Sequence, residues 1–501
     1  MSETRYLVVL LLLLLQLDIR CQKIVPGNFL ETIDKLADST TIGFYSSIED
    51  NVETFSLLDL TTRLSYNSTY PRGFNDGAVW KGKGATFEMH GGVAGKKGKF
   101  TFQFMPVLYF SQNSDFELAS RINNGLNPLA YQFTGGIDWV QKFGNKSGFY
   151  FHPGQSEIKF KSSKFVSSIS TQNHSFGPST FNPILLSHQG GGFPHLRIGA
   201  EPFSLGEKIG DFEVNFLVGL LAESGYYDDN PENDTRYLNG LFFGFSPAFL
   251  PNLKVGLGKV LYKQTRYFAP EDLISAIYVL EDTNREGLST GNDTFDQLAS
   301  VYIDWSFPEV AFRAYAEFAK NDFTGRSRGT IVEPEHTRGY TIGFEKRLLS
   351  AKNKEVTLLY EHTNLSRNQA FLWRATPSFY SHGVNRQGYT NNGQLIGAGI
   401  GPGGNSDHLF IKVQNESENS FAFLIQRIEN NRDYFVINTS GSNRDLDEGD
   451  HDIEYTLGFS FSKQFRTIQF ITEISASHNY SRYYEDDATN LAIMIGTRID
   501  L

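Results

Sequence analysis

Apolar side chains recur at every second position along much of the chain, over stretches of roughly 7 to 11 residues, the period of a β-strand whose two faces meet different media. Phe100, Phe102, Phe104, Pro106, Leu108 and Phe110 fall on one side of such a stretch, with Thr101, Gln103, Met105, Val107 and Tyr109 on the other. The preceding stretch, residues 86–95, is joined to it by Gly95-Lys96-Lys97-Gly98-Lys99, whose composition predicts a hairpin turn. The pattern returns at Phe212/Val214/Phe216/Val218/Leu220, Val301/Ile303/Trp305/Phe307, Phe312/Ala314/Ala316/Phe318, Tyr340/Ile342/Phe344 and Val356/Leu358/Tyr360. It continues at Leu409/Ile411/Val413, Phe421/Phe423/Ile425, Leu457/Phe459/Phe461 and Ile468/Phe470/Thr472/Ile474. The last stretch sets Leu491, Ile493, Ile495, Thr497, Ile499 and Leu501 against Ala492, Met494, Gly496, Arg498 and Asp500. A sheet that closes by pairing this strand with an early one would leave no edge of unpaired backbone groups.

Soluble sandwiches, propellers and β-helices also alternate. Here the positions opposite the apolar ones carry Gln, Glu, Asn, Asp, Lys or Arg in nearly every strand, which suits a wet lumen inside an apolar wall. The predicted fold class is therefore all-β: a transmembrane antiparallel β-barrel of about 16 to 20 strands, with about 18 favoured. It forms one domain over residues 23–501. Two segments break the pattern with helical spacing, 28–35 (NFLETIDK) and 271–280 (EDLISAIYVL), the second following Ala269-Pro270. They are expected either to plug the lumen or to sit in a loop.

Composition sharpens this. Residues 1–22 have a short polar start with Arg5 and then the apolar run Leu7 to Leu17, the layout of a secretory signal peptide. Export to a bacterial outer membrane is the expectation. Cys21 is the one cysteine, and the residues before it lack the small side chains that lipoprotein processing favours, so the mature domain has no disulfide framework. Beyond the leader no run approaches the ~18 apolar residues of a membrane-spanning helix. Mean hydropathy is −0.32 and aromatics make up 14%, with 43 Phe, 24 Tyr and 47 Gly, which fits strands wet on one side only. A net charge of −11 argues against nucleic acid as a partner.

Catalytic arrangements are missing from the sequence: there is no Gly-x-Ser-x-Gly elbow, His-Glu-x-x-His pair, phosphate-binding loop or cysteine-based site. The acidic groups Asp228/Asp229/Glu232/Asp234 and Asp445/Asp447/Glu448/Asp450/Asp452 lack the spacing of a calcium loop and read as solvated loops. The expectation is a protein without cofactor or metal, and not an enzyme. Three segments carry residue types unusual for plain hairpin loops. They are 74–84 (FNDGAVWKGKG), 182–199 (NPILLSHQGGGFPHLRIG) and 389–407 (YTNNGQLIGAGIGPGGNSD).

In order and spacing, these three segments on a barrel-like chain resemble the Wzi-type capsule assembly proteins of bacterial outer membranes, in particular members from Bacteroidota. The third run departs from the family pattern, with Gly397-Ala398-Gly399-Ile400 where a Gly-His-Pro-Leu-like stretch stands in the family. The resemblance implies a large barrel with a helical plug, acting as a surface lectin that anchors or organises capsular polysaccharide. The residues independently offer what sugar recognition uses: flat aromatic faces for the apolar side of a pyranose, and planar amides and carboxylates for its hydroxyls. Candidate carbohydrate-binding residues are Asn75, Asp76, Trp80, Trp373, Tyr389, Asn391, Asn392, Asn405 and Asp407. The same glycines and Trp80 would equally serve to shape turns and an aromatic girdle. The expected partners are capsular or extracellular polysaccharide and outer-membrane lipid, with the protein a monomer. The competing reading is a porin or substrate-selective channel.

Overall fold

The computed structural model describes residues 26–27, 42–46, 54–120, 127–277, 295–321, 332–350, 354–372, 376–415, 419–440, 446 and 449–501. The expected leader (1–22) and the helical spacing at 28–35 lie outside the described residues. Among those described, the chain forms a closed antiparallel barrel of eighteen strands, within the range the alternation predicts. Two of the strands are each broken in two: Phe100–Phe104 with Val107–Ser111, and Gly148–His152 with Glu157–Ser162. The breaks fall at Pro106 and at Pro153, neither of which has an N–H to donate to a ladder. Closure joins the first barrel strand, Phe55–Asn67, to the last, Ala488–Ile499, in a register running from Leu60 opposite Ile499 to Asn67 opposite Ala492.

Alternation becomes inside and outside. On the first strand Leu64 and Tyr66 point away from the barrel while Arg63, Ser65 and Asn67 are buried within it. Phe100, Phe102, Phe104 and Leu108 likewise face out, and Thr101, Gln103, Met105, Val107 and Tyr109 face in. Phe149 is 87% exposed and Ile169 is 69% exposed. Removing such a side chain from water is worth about 1.5–3 kcal/mol each, and a whole wall of them is stable only against hydrocarbon.

The two ends differ. Connections at one end are short, as between Lys97 and Phe100, Ser162 and Phe165, and Phe465 and Ile468. The first of these is the predicted hairpin, turning on Gly98 at φ 62°. At the other end the chain makes long excursions over residues 68–83, 112–147, 171–194 and 365–404. Outer-membrane barrels carry short turns on the periplasmic side and long loops outside.

The interior corrects the expectation of a wet lumen. Loops fold back into the barrel, where Phe176, Ile184, Leu185, Leu186, Tyr380, Tyr389, Leu395 and Ile396 form one buried cluster with the inward faces of Leu217, Leu238, Phe242, Val260, Leu298 and Tyr302. A short strand, Phe44–Ser46, pairs with His174–Phe176 inside this filling. It is tied to the wall by Glu213, which accepts the N–H of Ile42 at 2.8 Å and of Gly43 at 3.1 Å, and by Tyr302, which donates to the Ile42 carbonyl at 2.8 Å. Backbone that leaves the sheet must find partners, and here inward polar side chains of the wall provide them. The filling among the described residues is loop, not helix. The helical spacing at 271–280 does form a 3-10 helix, Pro270–Ile277, but it lies against the outer wall and not in the lumen.

Candidate functional site

The three unusual segments converge. Asn75 and Gly77 take left-handed backbone conformations, φ 56° and 63°, which fold residues 74–77 into a tight turn. The Gly77 N–H donates to the His188 carbonyl at 2.8 Å, and the Asn75 N–H donates to Gln189 Oε1 at 2.9 Å. Asn75 Nδ2 donates to the Phe181 carbonyl at 3.0 Å. From the third segment, Gln394 joins the other two: its Nε2 donates to the Gly77 carbonyl at 3.1 Å and its Oε1 accepts the Gly191 N–H at 3.0 Å. Ser187 donates its N–H to the Ile396 carbonyl at 3.0 Å and its hydroxyl to the Gly397 carbonyl at 2.6 Å. A Cβ on Gly397 would stand 2.4 Å from the Ile184 carbonyl oxygen, so the glycine permits this approach of two backbones.

Above this junction lies a cavity of about 270 Å³ lined by all three segments, through Phe74, Asp76, Trp80 and Lys81, then Gln189, then Gln394, Gly399 and Ile400. That is close to the lower end of the ~300–1,000 Å³ of small-molecule sites. The Trp80 indole N–H donates to Asn113 Oδ1 at 3.1 Å, and its ring meets Phe143 edge-on at 5.1 Å. A fourth segment adds Tyr131, Phe133, Trp139 and Phe143, with the Tyr131 and Trp139 rings 4.8 Å apart. The Arg482 guanidinium lies between the rings of Tyr70 and Tyr483, at 4.6 and 3.9 Å, and donates to the Glu117 carbonyl at 3.0 Å. Arg72 is held by Glu454 at 3.2 Å and Gln426 at 2.7 Å. Lys81 and Asp76 form an ion pair at 2.5 Å. Burial works against the Lys81 charge, but the Asp76 and Glu88 carboxylates outweigh it and hold the ammonium above the usual lysine range. Asp452 accepts from Asn430 Nδ2 and from the Tyr483 N–H, both at 2.9 Å, and burial pushes its carboxyl up. Flat aromatic faces, fixed amides and positioned charges around a cavity of this size suit a sugar ring better than an apolar ligand.

Of the predicted residues, the structure brings Asp76 and Trp80 to this cavity and sets Asn75 in the turn that supports it. Tyr389 is fully buried in the filling, donating to the Leu185 carbonyl at 2.7 Å. Asn391 is buried with its Oδ1 accepting the Ala222 N–H at 3.0 Å, and Asn392 is exposed in a left-handed turn at φ 48°. Asn405 and Asp407 alternate with the inward Ser406 and His408, so they face out of the barrel, where Asp407 accepts from Tyr360 at 2.8 Å and His362 at 2.9 Å. Trp373 lies outside the described residues. The aromatic segment 131–143 and Arg482 escaped the sequence reading. The available signal was Trp139, one of only four tryptophans, in a stretch with Tyr131, Phe133 and Phe143 that does not alternate. Among the described residues no group of three His, Cys, Asp or Glu is placed to hold a metal ion.

The fold is similar to that of Wzi, a carbohydrate-binding β-barrel of the outer membrane involved in group 1 capsule assembly in Escherichia coli. The TM-score is 0.58 at 13% identity, over 89% of this chain and 85% of that one. Pseudomonas aeruginosa OccD3 (OpdP) aligns at TM-score 0.44 and 10% identity, over 96% of this chain and 100% of that one. Acinetobacter baumannii OccAB3 aligns at 0.42 and 10%, over 88% and 98%. No protein-family profile and no curated protein matches the sequence.

Proposed function

We propose that the protein is an exported outer-membrane lectin, a monomeric barrel that binds capsular or exopolysaccharide at the cell surface without catalysing a reaction. The sugar sits in the cavity between Trp80, Trp139 and Arg482. The observation that carries this reading is the convergence of three glycine-rich segments, distant in sequence, on one aromatic and polar cavity among the long loops. The shared fold with a carbohydrate-binding barrel of capsule assembly makes a glycan the first ligand to try. A porin would need a continuous water path, whereas here the barrel holds a buried apolar cluster that includes Leu185, Phe242 and Tyr380. Titrating the purified protein in detergent with surface polysaccharide from the producing cells, followed by calorimetry, tests the proposal. Saturable binding is expected. A folded barrel that binds none of those glycans would refute the assignment.

A further inference from the structure

Outward positions of a barrel wall meet lipid, yet the strands Thr235–Pro247 and Leu253–Gln264 carry Asn239, Lys259 and Lys263 there. Their neighbours Leu238, Phe242, Val260 and Tyr262 belong to the inner cluster, so the three point the other way. They are nevertheless 0, 0 and 2% exposed. Asn239 and Lys263 are covered by the connection that follows. Asn239 Oδ1 accepts the Ala276 N–H at 2.9 Å, while its Nδ2 donates to the Asp272 carbonyl at 3.0 Å. Lys263 forms an ion pair with the Asp272 carboxylate and lies 4.4 Å from the centre of the Phe295 ring. Phe268 meets the outward ring of Tyr237 edge-on at 5.0 Å.

Toward its surroundings this flap is mostly apolar, with Arg266 and Glu271 as its exposed charged residues. Phe268, Leu273, Ile274 and Ile277 are 41, 43, 46 and 53% exposed. A loop standing in water would show the opposite distribution, with Lys263 out and Leu273 in. The flap is also continuous with the lipid-facing wall, because its Ala276 is buried in one cluster with Phe295 and with Leu261 on the strand Leu253–Gln264, against which the outward Phe216 and Leu241 pack. Arg266 stacks on Tyr267 at 4.8 Å beside the strand end, the pairing of residue types found at a membrane–water boundary.

We propose that residues 266–277 are a membrane-seated flap. It restores an apolar surface over a polar patch of the wall and rests in the boundary between headgroups and acyl chains of the outer leaflet, latched by Lys263–Asp272. The inference rests on the membrane reading of the barrel, and the test separates the two. In a Cys21→Ser background, spin labels are placed at Leu273→Cys in the flap, at Ile425→Cys on the outward wall and at Asn392→Cys in an exposed turn. The protein is reconstituted into vesicles, and collision with oxygen is compared with collision with a water-soluble nickel chelate. At Leu273 and Ile425, collision with oxygen is expected to exceed collision with nickel several-fold, and at Asn392 the order is expected to reverse. Nickel-accessible labels at both Leu273 and Ile425 would overturn the membrane reading. A lipid-like Ile425 with a nickel-accessible Leu273 would overturn the flap alone. Asp272→Ala should raise label mobility at Leu273 and leave Ile425 unchanged; unchanged mobility at both sites would overturn the latch.

Discussion

Glu361, on the inner face of the wall, accepts the backbone N–H of Asn182 at 2.8 Å, and the same carboxylate takes the N–H of Thr180 at 2.7 Å and of Phe181 at 3.1 Å. One acidic side chain thus satisfies three successive donors of a loop that has left the sheet. Tyr315 adds its hydroxyl to the same carboxylate at 2.7 Å. The loop filling is fastened to the wall here, on the chain that goes on to form the junction beneath the cavity.

Glu361→Ala should therefore loosen the filling. Each buried donor left without a partner costs about 1–3 kcal/mol, and three are stranded at once. A lower melting temperature in detergent is expected, together with current in planar bilayers, where the unaltered protein, its lumen filled, is expected to be silent. Unchanged melting and continued silence would show that the filling is held elsewhere.

Removing the aromatic faces should cost affinity and leave the barrel intact. Stacking of this kind is worth about 0.5–1.5 kcal/mol beyond area burial, so Trp80→Ala and Trp139→Ala should each raise Kd roughly 10-fold once the lost contact area is included. Asn391→Ala should do the reverse. It deprives the Ala222 N–H of its acceptor, lowering stability while binding by the remaining folded protein is kept. Calorimetric titration beside thermal unfolding separates the two effects.

Gly401 offers a steric test. Its φ is 72°, and a Cβ there would stand 2.5 Å from the Trp139 ring. Gly401→Ala should displace the indole and cost backbone strain of about 1 kcal/mol. A drop in glycan affinity comparable to that of Trp139→Ala is the expected result; wild-type affinity would mean that the position of Trp139 does not matter.

Glu223, just past the end of the strand Gly210–Ala222, carries a pH dependence. Burial, reinforced by the Asp228 and Asp138 charges, pushes its carboxyl up to about 7, while a hydrogen bond from Gln387 works the other way. Between the ordinary value of 4.5 and about 7, the folded state binds a proton that the unfolded state has lost. The contribution to stability is complete below the lower value and is lost as pH rises through the upper one. Hydrogen exchange of residues 223–234 should speed up over that window beyond its intrinsic base-catalysed rise. Glu223→Gln should flatten the excess, and an identical excess in both proteins would rule out Glu223 as the titrating group.

Wall and site differed in how far they could be read in advance. A strand in a closed sheet repeats every two residues and each residue faces one of two media, so alternation alone separates Phe100, Phe102 and Phe104 from Thr101 and Gln103. That the last strand closes onto an early one was also legible, since an unpaired edge in lipid is too costly, while the partner Phe55–Asn67 and its register from Leu60 opposite Ile499 came from the structure. The glycine-rich segments 182–199 and 389–407 stood out as unusual for plain hairpin loops, and two of the nine candidate residues, Asp76 and Trp80, line the cavity. Asp407 looked like a sugar ligand but sits on an outward strand position, beside Tyr360 and His362.

The local chemistry of the chain decided by itself that this is an alternating, closed wall, because strand period and backbone hydrogen bonding are short-range rules. Tertiary structure alone decided that loops fill the lumen and that Trp80, Trp139 and Arg482 meet. It likewise decided that the helix Pro270–Ile277 lies outside the wall. Those outcomes depend on which partners distant buried N–H groups and apolar faces find, as Glu361 finds residues 180–182, and no local period records such a match.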